Sequence, residues 1–322
     1  MATDIEQQIL KLLDYYDMPP SMGRVFFVDP VNGAATNNGA APDTALDTTQ
    51  AAVDLCTADH NDIIVRMPGV ERPGDVGLNL NKRGITIIGV AWNNPFQPQG
   101  SAVGIPSAPA YWREVALGAN TATGPAVNIT QGCAIVGMEF LAASTIALSA
   151  DRYMAAILID GDGGGWNAGY CHIKRCRFQG LAIQGVGVCL KGTRYNLIEE
   201  CTFEALVEAG VMIESGVNDC LLNYIERNNF LGCTNAGIDT GAAANPPFDT
   251  QIHLNRFVRK HGFPMAYGIQ TLNNWDGGFI TNNWFGYTRA GVEAIDQDRA
   301  TLEGTFVFCA GNQYTDGQDP RA

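Results

Sequence analysis

Seven times from residue 135 onward the chain repeats one short register, and nothing else in the sequence so narrows what it can fold into. The register closes on an aromatic: Phe140, Phe178, Phe203, Phe230, Phe257, Phe285 and Tyr314. Five residues earlier stand Ile135, Ile173, Ile198, Ile225, Ile252, Ile280 and Cys309. Two residues earlier stand Met138, Cys176, Cys201, Asn228, Asn255, Asn283 and Asn312. From Phe178 onward the aromatics lie 25, 27, 27, 28 and 29 residues apart. A fixed period of roughly 20–50 residues marks a solenoid, in which each repeat buries its apolar face against its neighbours.

A second register says what each repeat is made of. After an aromatic comes a glycine and then alternation: Gly187-Val188-Cys189-Leu190, Gly210-Val211-Met212-Ile213, Gly237-Ile238-Asp239-Thr240, Gly268-Ile269-Gln270-Thr271 and Gly291-Val292-Glu293-Ala294. Branched apolar residues at every second position predict strands with one face in a core and the other turned outward. Helical repeats would space apolar residues by three and four, and the chain lacks the Leu-x-x-Leu-x-Leu frame of leucine-rich repeats. The expected fold is all-β: a right-handed parallel β-helix with coils of 25–29 residues, preceded by a short N-terminal α-helix.

The isoleucine and the aromatic of each register are five apart, so a straight strand would point them to opposite faces. If both face the core the chain bends between them, and Asn tolerates the left-handed conformation such a bend needs. Stacked on coils ~4.8 Å apart, these Asn side chains are also expected to hydrogen-bond to one another.

Composition limits function. A formal charge of −13 with no Lys/Arg cluster excludes nucleic-acid binding through phosphates. Nine cysteines without Cys-x-x-Cys spacing indicate neither a disulfide framework nor a zinc site. Cys176 and Cys201, equivalent on neighbouring coils, are expected as stacked reduced thiols. Four scattered histidines give no ligand spacing, so no metal or cofactor is expected. No stretch approaches the ~20 apolar residues of a membrane helix, and no basic region followed by an apolar core suggests a signal peptide. The chain is expected to be made in the cytoplasm and to leave, if at all, by a route that reads no N-terminal signal.

Residues 4–17 pattern as an amphipathic helix whose stripe is Ile5, Ile9, Leu12, Leu13 and Tyr16, with Asp4 at the N-cap and Pro19-Pro20 as the stop. Such a one-sided helix either caps the solenoid or docks on another protein. The chain divides into an N-terminal segment (1–22), the solenoid (23–314) and a polar tail (315–322).

Residues 25–89 carry a further pattern. Val25-Phe26-Phe27-Val28-Asp29-Pro30 is a strand ending in a turn, and Asn37-Asn38-Gly39 is a turn. A short helix over Thr48–Leu55 follows, then the strand Asp62-Ile63-Ile64-Val65, the turn Pro68-Gly69, and strands at Leu78-Asn79-Leu80 and Gly84-Ile85-Thr86-Ile87-Ile88-Gly89. This combination resembles the opening of pectate-lyase-like right-handed β-helix domains, including those of phage tailspikes. The resemblance implies that the short helix plugs the end of the solenoid. It says little about activity, since the fold hosts lyases, hydrolases and inert structural proteins. Residues 90–125 read as an excursion from the stack, and so do residues 141–170, because Phe140 and Phe178 are 38 residues apart rather than 25–29.

Polysaccharide-cleaving β-helices of this resemblance use clustered acids on an outer strand face. Asp239 and Glu293 are the candidate catalytic pair here, separated by the coil of Gln270 and so ~9.6 Å apart, within reach of an inverting hydrolase. The hydrolase signatures Asn-Thr-Asp, Asp-Asp and Gly-His-Gly are absent; Lys260-His261-Gly262 is a fragment of one. Asp160-Gly161-Asp162-Gly163-Gly164-Gly165 looks like a calcium loop but lacks the Glu that would complete an EF-hand. Trp166, Trp275 and Trp284 are candidates for stacking on sugar rings. Arg175, Glu200 and Arg227 form an alternating charge column on successive coils.

These readings favour a non-enzymatic phage virion structural protein: a capsid decoration, head spike or short tail-spike subunit, located in the virion. A homotrimer is expected, with Cys189 and Met212 as outward apolar residues buried against sister chains. Ile5, Ile9, Leu12 and Leu13 would dock on capsid or tail proteins. The alternative is a tailspike that binds surface glycans or degrades polysaccharide, as a lyase or glycoside hydrolase.

Overall fold

The computed structural model describes residues 14, 23–67, 69–71, 77–89, 110–113, 125–141, 155–162, 168–180, 185–214, 217–240, 247–258, 265–271, 276–286, 293–295 and 307–314. Its strands wind into three parallel sheets that the chain visits in turn. The isoleucine sheet has ten strands, from Val25–Val28 to Phe308–Ala310. The phenylalanine sheet has nine, from Gly69–Glu71 to Gln313–Tyr314. The glycine sheet has eight, from Leu78–Leu80 to Glu293–Ile295.

Both expected core columns form. Ile173 lies opposite Ile135 and Ile198, and Phe203 opposite Phe178 and Phe230. The isoleucine column also runs further back than the repeat suggested, through Ile87 and Ile64 to Phe26. Six phenylalanines from Phe140 to Phe285 stack with centroids 4.8–5.0 Å apart and planes within 7°. That separation is the strand spacing itself, so backbone register sets the ring geometry.

Gly187, Gly210 and Gly237 stand against this stack. A Cβ on any of them would lie 2.5 Å from Cδ1 of Phe203, Phe230 or Phe257 respectively. The glycine column exists because the rings occupy the space a side chain would need.

The bend between isoleucine and aromatic differs from expectation in one respect. The left-handed residue is the one before the Asn or Cys: Arg175, Glu200, Arg227, Leu254 and Asn282 have φ of 51–56°. The Asn keeps ordinary backbone and gives its side chain to the ladder. Asn255 Nδ2 donates to Asn283 Oδ1 (3.1 Å) and to the Ile225 carbonyl (2.8 Å), while its Oδ1 accepts from the backbone N–H of Asn228 at 3.0 Å. Cys201 extends the ladder with sulfur, accepting from the Cys176 N–H at 3.4 Å and donating its own N–H to Asn228 Oδ1 at 2.9 Å. A second ladder was not foreseen. Tyr170, Tyr195 and Leu222 take positive φ at the turn into the isoleucine sheet, and Asn196 Nδ2 donates to Asn223 Oδ1 at 2.8 Å.

The expected helical plug is α1 (Thr49–Leu55), capped by Thr48, whose hydroxyl accepts from Ala51 N–H at 3.3 Å. Ala52 and Val53 enter the core beside Phe26 and Ile64. Lys82 closes the other end of α1, its ammonium donating to the carbonyls of Val53, Asp54 and Cys56 at 2.8–2.9 Å. Buried Asp62 ties the plug down by accepting from the backbone N–H groups of Arg24 and Thr57, each at 2.7 Å.

The expected excursions return strands to the stack. Ala110–Arg113 pairs with Gly69–Glu71 and Glu139–Leu141, and Ala155–Asp160 pairs with Val186–Lys191. Of the expected N-terminal helix only Asp14, which is helical, belongs to the described residues; Ile5, Ile9, Leu12 and Leu13 lie outside them.

Candidate functional site

The residues singled out on the glycine sheet do not form the site expected of them. Asp239 pairs with Gln270 as foreseen, but Glu293 stands opposite Tyr267, with Ile269 opposite Ile295. Aligning Gly291 with Gly268 was therefore wrong by three residues, and the Asp239–Glu293 column does not exist. Asp239 is also only 3% exposed. Cys189 and Met212 do point away from the core, yet both are buried within the single chain, in an apolar cluster with Ala155, Leu158 and Val186. They present no surface to a sister chain.

At the described start of the Asp160-Gly161-Asp162 run, whose calcium-like pattern is incomplete, the Lys191 ammonium lies 3.8 Å from Asp160 and 3.4 Å from Asp162. Asp162 also accepts the backbone N–H of Asn218 at 3.0 Å. Among the described residues no three His, Cys, Asp or Glu side chains are grouped to hold a metal ion. Trp166 and Trp275 lie outside the described residues, and the Trp284 ring carries the Arg256 guanidinium 4.7 Å from its centroid.

The richest constellation is the outward face of the isoleucine sheet. At its start the face is sealed: Phe27, Ile63, Val65, Ile88 and Val136 form an apolar cluster closed by Ala45. It opens at His172. There Glu199 accepts from His172 Nε2 (2.8 Å), Lys174 Nζ (3.1 Å) and Arg227 (3.3 Å). The His172 hydrogen bond, then that of Lys174, holds the Glu199 carboxyl down to about 2 against the opposing effect of burial. Glu199 is thus an ionised, fully engaged carboxylate that cannot serve as a proton donor near neutral pH. The expected charge column forms in part: Arg175 pairs with Glu200 at 2.6 Å, whereas Arg227 turns to Glu199 and, at 2.8 Å, Glu226. Beyond this network the face carries Tyr224 beside Gln251, and His253 bonded to Thr281 at 2.8 Å. It ends in Phe279 and Phe308.

The phenylalanine sheet carries a shorter ladder outside. Arg177 bridges Glu139 (3.1 Å) and Glu204 (2.6 Å). Burial pushes Glu139 up, the Arg177 charge opposes this, and Glu204 adds to it. Neither ladder was read from the sequence as a site. The signal available was the coil period itself, which sets Lys174, Glu199 and Glu226 on one line once the strands are aligned.

Coils, columns and ladders together define the class: the chain is a right-handed parallel β-helix. The family model for a right-handed β-helix region matches residues 155–249. Among solved structures the pectin methylesterase from Aspergillus niger superposes with a TM-score of 0.55 at 9% identity, covering 93% of this chain and 88% of that one. An alginate lyase from Paenibacillus sp. str. FPU-7 gives 0.48 at 14% identity, covering 91% and 95%. A rhamnogalacturonan lyase gives 0.45 at 12% identity, covering 92% and 89%. At 9% identity the likeness to the pectin methylesterase is one of fold. No curated protein matches the chain by sequence.

Proposed function

We propose that the chain is a non-enzymatic structural subunit of a phage particle, as a capsid decoration, head spike or short tail-spike, assembled as a homotrimer and attached through residues 1–22. One observation carries the non-enzymatic part: the outer carboxylates Glu139, Glu199 and Glu204 are engaged with cations, Glu199 with three, rather than paired with each other across an open groove. The virion part rests on the tailspike-like opening over residues 25–89. Purified protein should release neither reducing ends nor unsaturated products from host-surface polysaccharide. Turnover abolished by Asp239→Asn with Glu293→Gln, or by Glu139→Gln, would establish an enzyme instead. Mass spectrometry of purified particles should find the chain in the virion.

A second reading, a polysaccharide-contacting spike, is favoured by the exposed aromatics on the isoleucine sheet.

A further inference from the structure

Four aromatics among the described residues are more than a third exposed: Tyr170 (69%), Tyr195 (37%), Phe279 (47%) and Phe308 (55%). They form two pairs, one on the turn into the isoleucine sheet and one on its outward face. Tyr170 and Tyr195 stack at 4.9 Å, and Phe279 and Phe308 meet edge to face at 6.0 Å. The strands entered after Tyr170 and ending at Phe308 are six successive members of one sheet. At ~4.8 Å per strand, the inner members Tyr195 and Phe279 are three spacings or ~14 Å apart, and the outer members Tyr170 and Phe308 five spacings or ~24 Å.

Between the pairs the outward face carries half-buried Tyr224 and Gln251, with Glu226 and His253 beside them, all able to hydrogen-bond. A protein interface concentrates its apolar area at the centre and its polar groups at the rim. This strip has the reverse order, apolar at both ends and hydrogen-bonding in the middle. That order suits a polymer with flat apolar faces and many hydroxyls, whose rings stack on the aromatics while its hydroxyls reach the carboxylate and amide. Charge narrows the class. Lys174, Arg175 and Arg227 are paired with Glu199, Glu200 and Glu226, and the whole chain carries −13, so an acidic polymer would meet compensated cations and net repulsion.

We propose that this strip binds an uncharged linear polysaccharide laid across the coils from Tyr170–Tyr195 to Phe279–Phe308. The proposal rests on the second, glycan-contacting reading and requires no catalysis. The test is affinity electrophoresis and calorimetry of the full chain with dextran, glucomannan and galactomannan, against alginate and polygalacturonate as acidic counterparts. At least one uncharged polymer should be retained. Tyr170→Ser with Tyr195→Ser, and separately Phe279→Ser with Phe308→Ser, should each weaken binding about tenfold with thermal midpoints matching the parent. Leu55→Ser, an exposed apolar change on α1, should leave binding as it was. Oligosaccharides too short to span both pairs should bind more weakly than the polymer, because they lose the second contact. Retention that survives both double variants would overturn the site while the glycan-contacting reading stands. Retention of the acidic polymers alone would overturn the ligand class, and no retention of any polymer would overturn the site and that reading together.

Discussion

Phe230 is fully buried, with Phe203 and Phe257 stacked on its two faces 4.8–4.9 Å away. Phe230→Ala opens a cavity that backbone hydrogen bonds on either side prevent from collapsing, and should destabilise by ~3–5 kcal/mol in denaturant titration. Gly210→Ala tests the same column from the other side. Its methyl would sit 2.5 Å from Cδ1 of a ring that cannot swing aside, so a loss of ~1–3 kcal/mol is expected. A Gly210→Ala, Phe230→Leu double variant should recover part of that loss if the clash is its cause. Asn255→Ala removes the acceptor of the Asn228 N–H and the donor to the Ile225 carbonyl, both buried, and each orphaned group costs ~1–3 kcal/mol.

At the level of the element, the isoleucine sheet pairs a repetitive inside with a differentiated outside. Inside, successive coils from Ile64 to Ile280 add the same isoleucine, with Phe26 and Cys309 at the two ends. Outside, the sheet passes from a sealed apolar patch through an ion network to exposed aromatics. The ion network makes stability depend on acid in a definite direction. The Glu199 carboxyl is lowered from 4.5 to about 2 in the folded chain, so its contribution is present above the unfolded value. That contribution is lost as pH falls through about 2. Acid titration of the unfolding free energy should therefore steepen between about pH 4.5 and 2, and Glu199→Gln should flatten that segment. The same variant should cost roughly 1–3 kcal/mol at neutral pH, because it removes the carboxylate that His172, Lys174 and Arg227 share.

For the whole molecule, eight of the nine cysteines are buried thiols outside any disulfide, and only Cys309 is partly accessible. Burial pushes the thiols of Cys171, Cys220 and Cys233 up to about 12, and those of Cys189 and Cys201 well above their ordinary value. Native protein treated with iodoacetamide should be alkylated at Cys309 first, the others reacting only on unfolding. The proposed assembly is tested by light scattering, which should give three times 34.5 kDa. Deleting residues 1–20 should keep the trimer and abolish attachment to particles. A monomer, or truncated protein still on particles, would overturn that arrangement.

The coil was legible in the sequence because a parallel stack is a one-dimensional lattice: each coil must repeat the residues that touch its neighbours, and those residues recur every 25–29 positions. The isoleucine and phenylalanine columns, the strand alternation and the Asn ladder follow from that, while the plug helix was legible only through the resemblance over residues 25–89. The last coils were read less well, because Gly291 offered a false alignment and the true partner of Tyr267 is Glu293. The outer faces were not legible, since neighbouring coils impose no repetition there. Whether Cys189 and Met212 meet water, or Glu199 meets three cations, depends on which loops and long side chains arrive from elsewhere. Periodicity determined the inside of this molecule, while the folded chain alone decided which outward side chains are covered and which stand open.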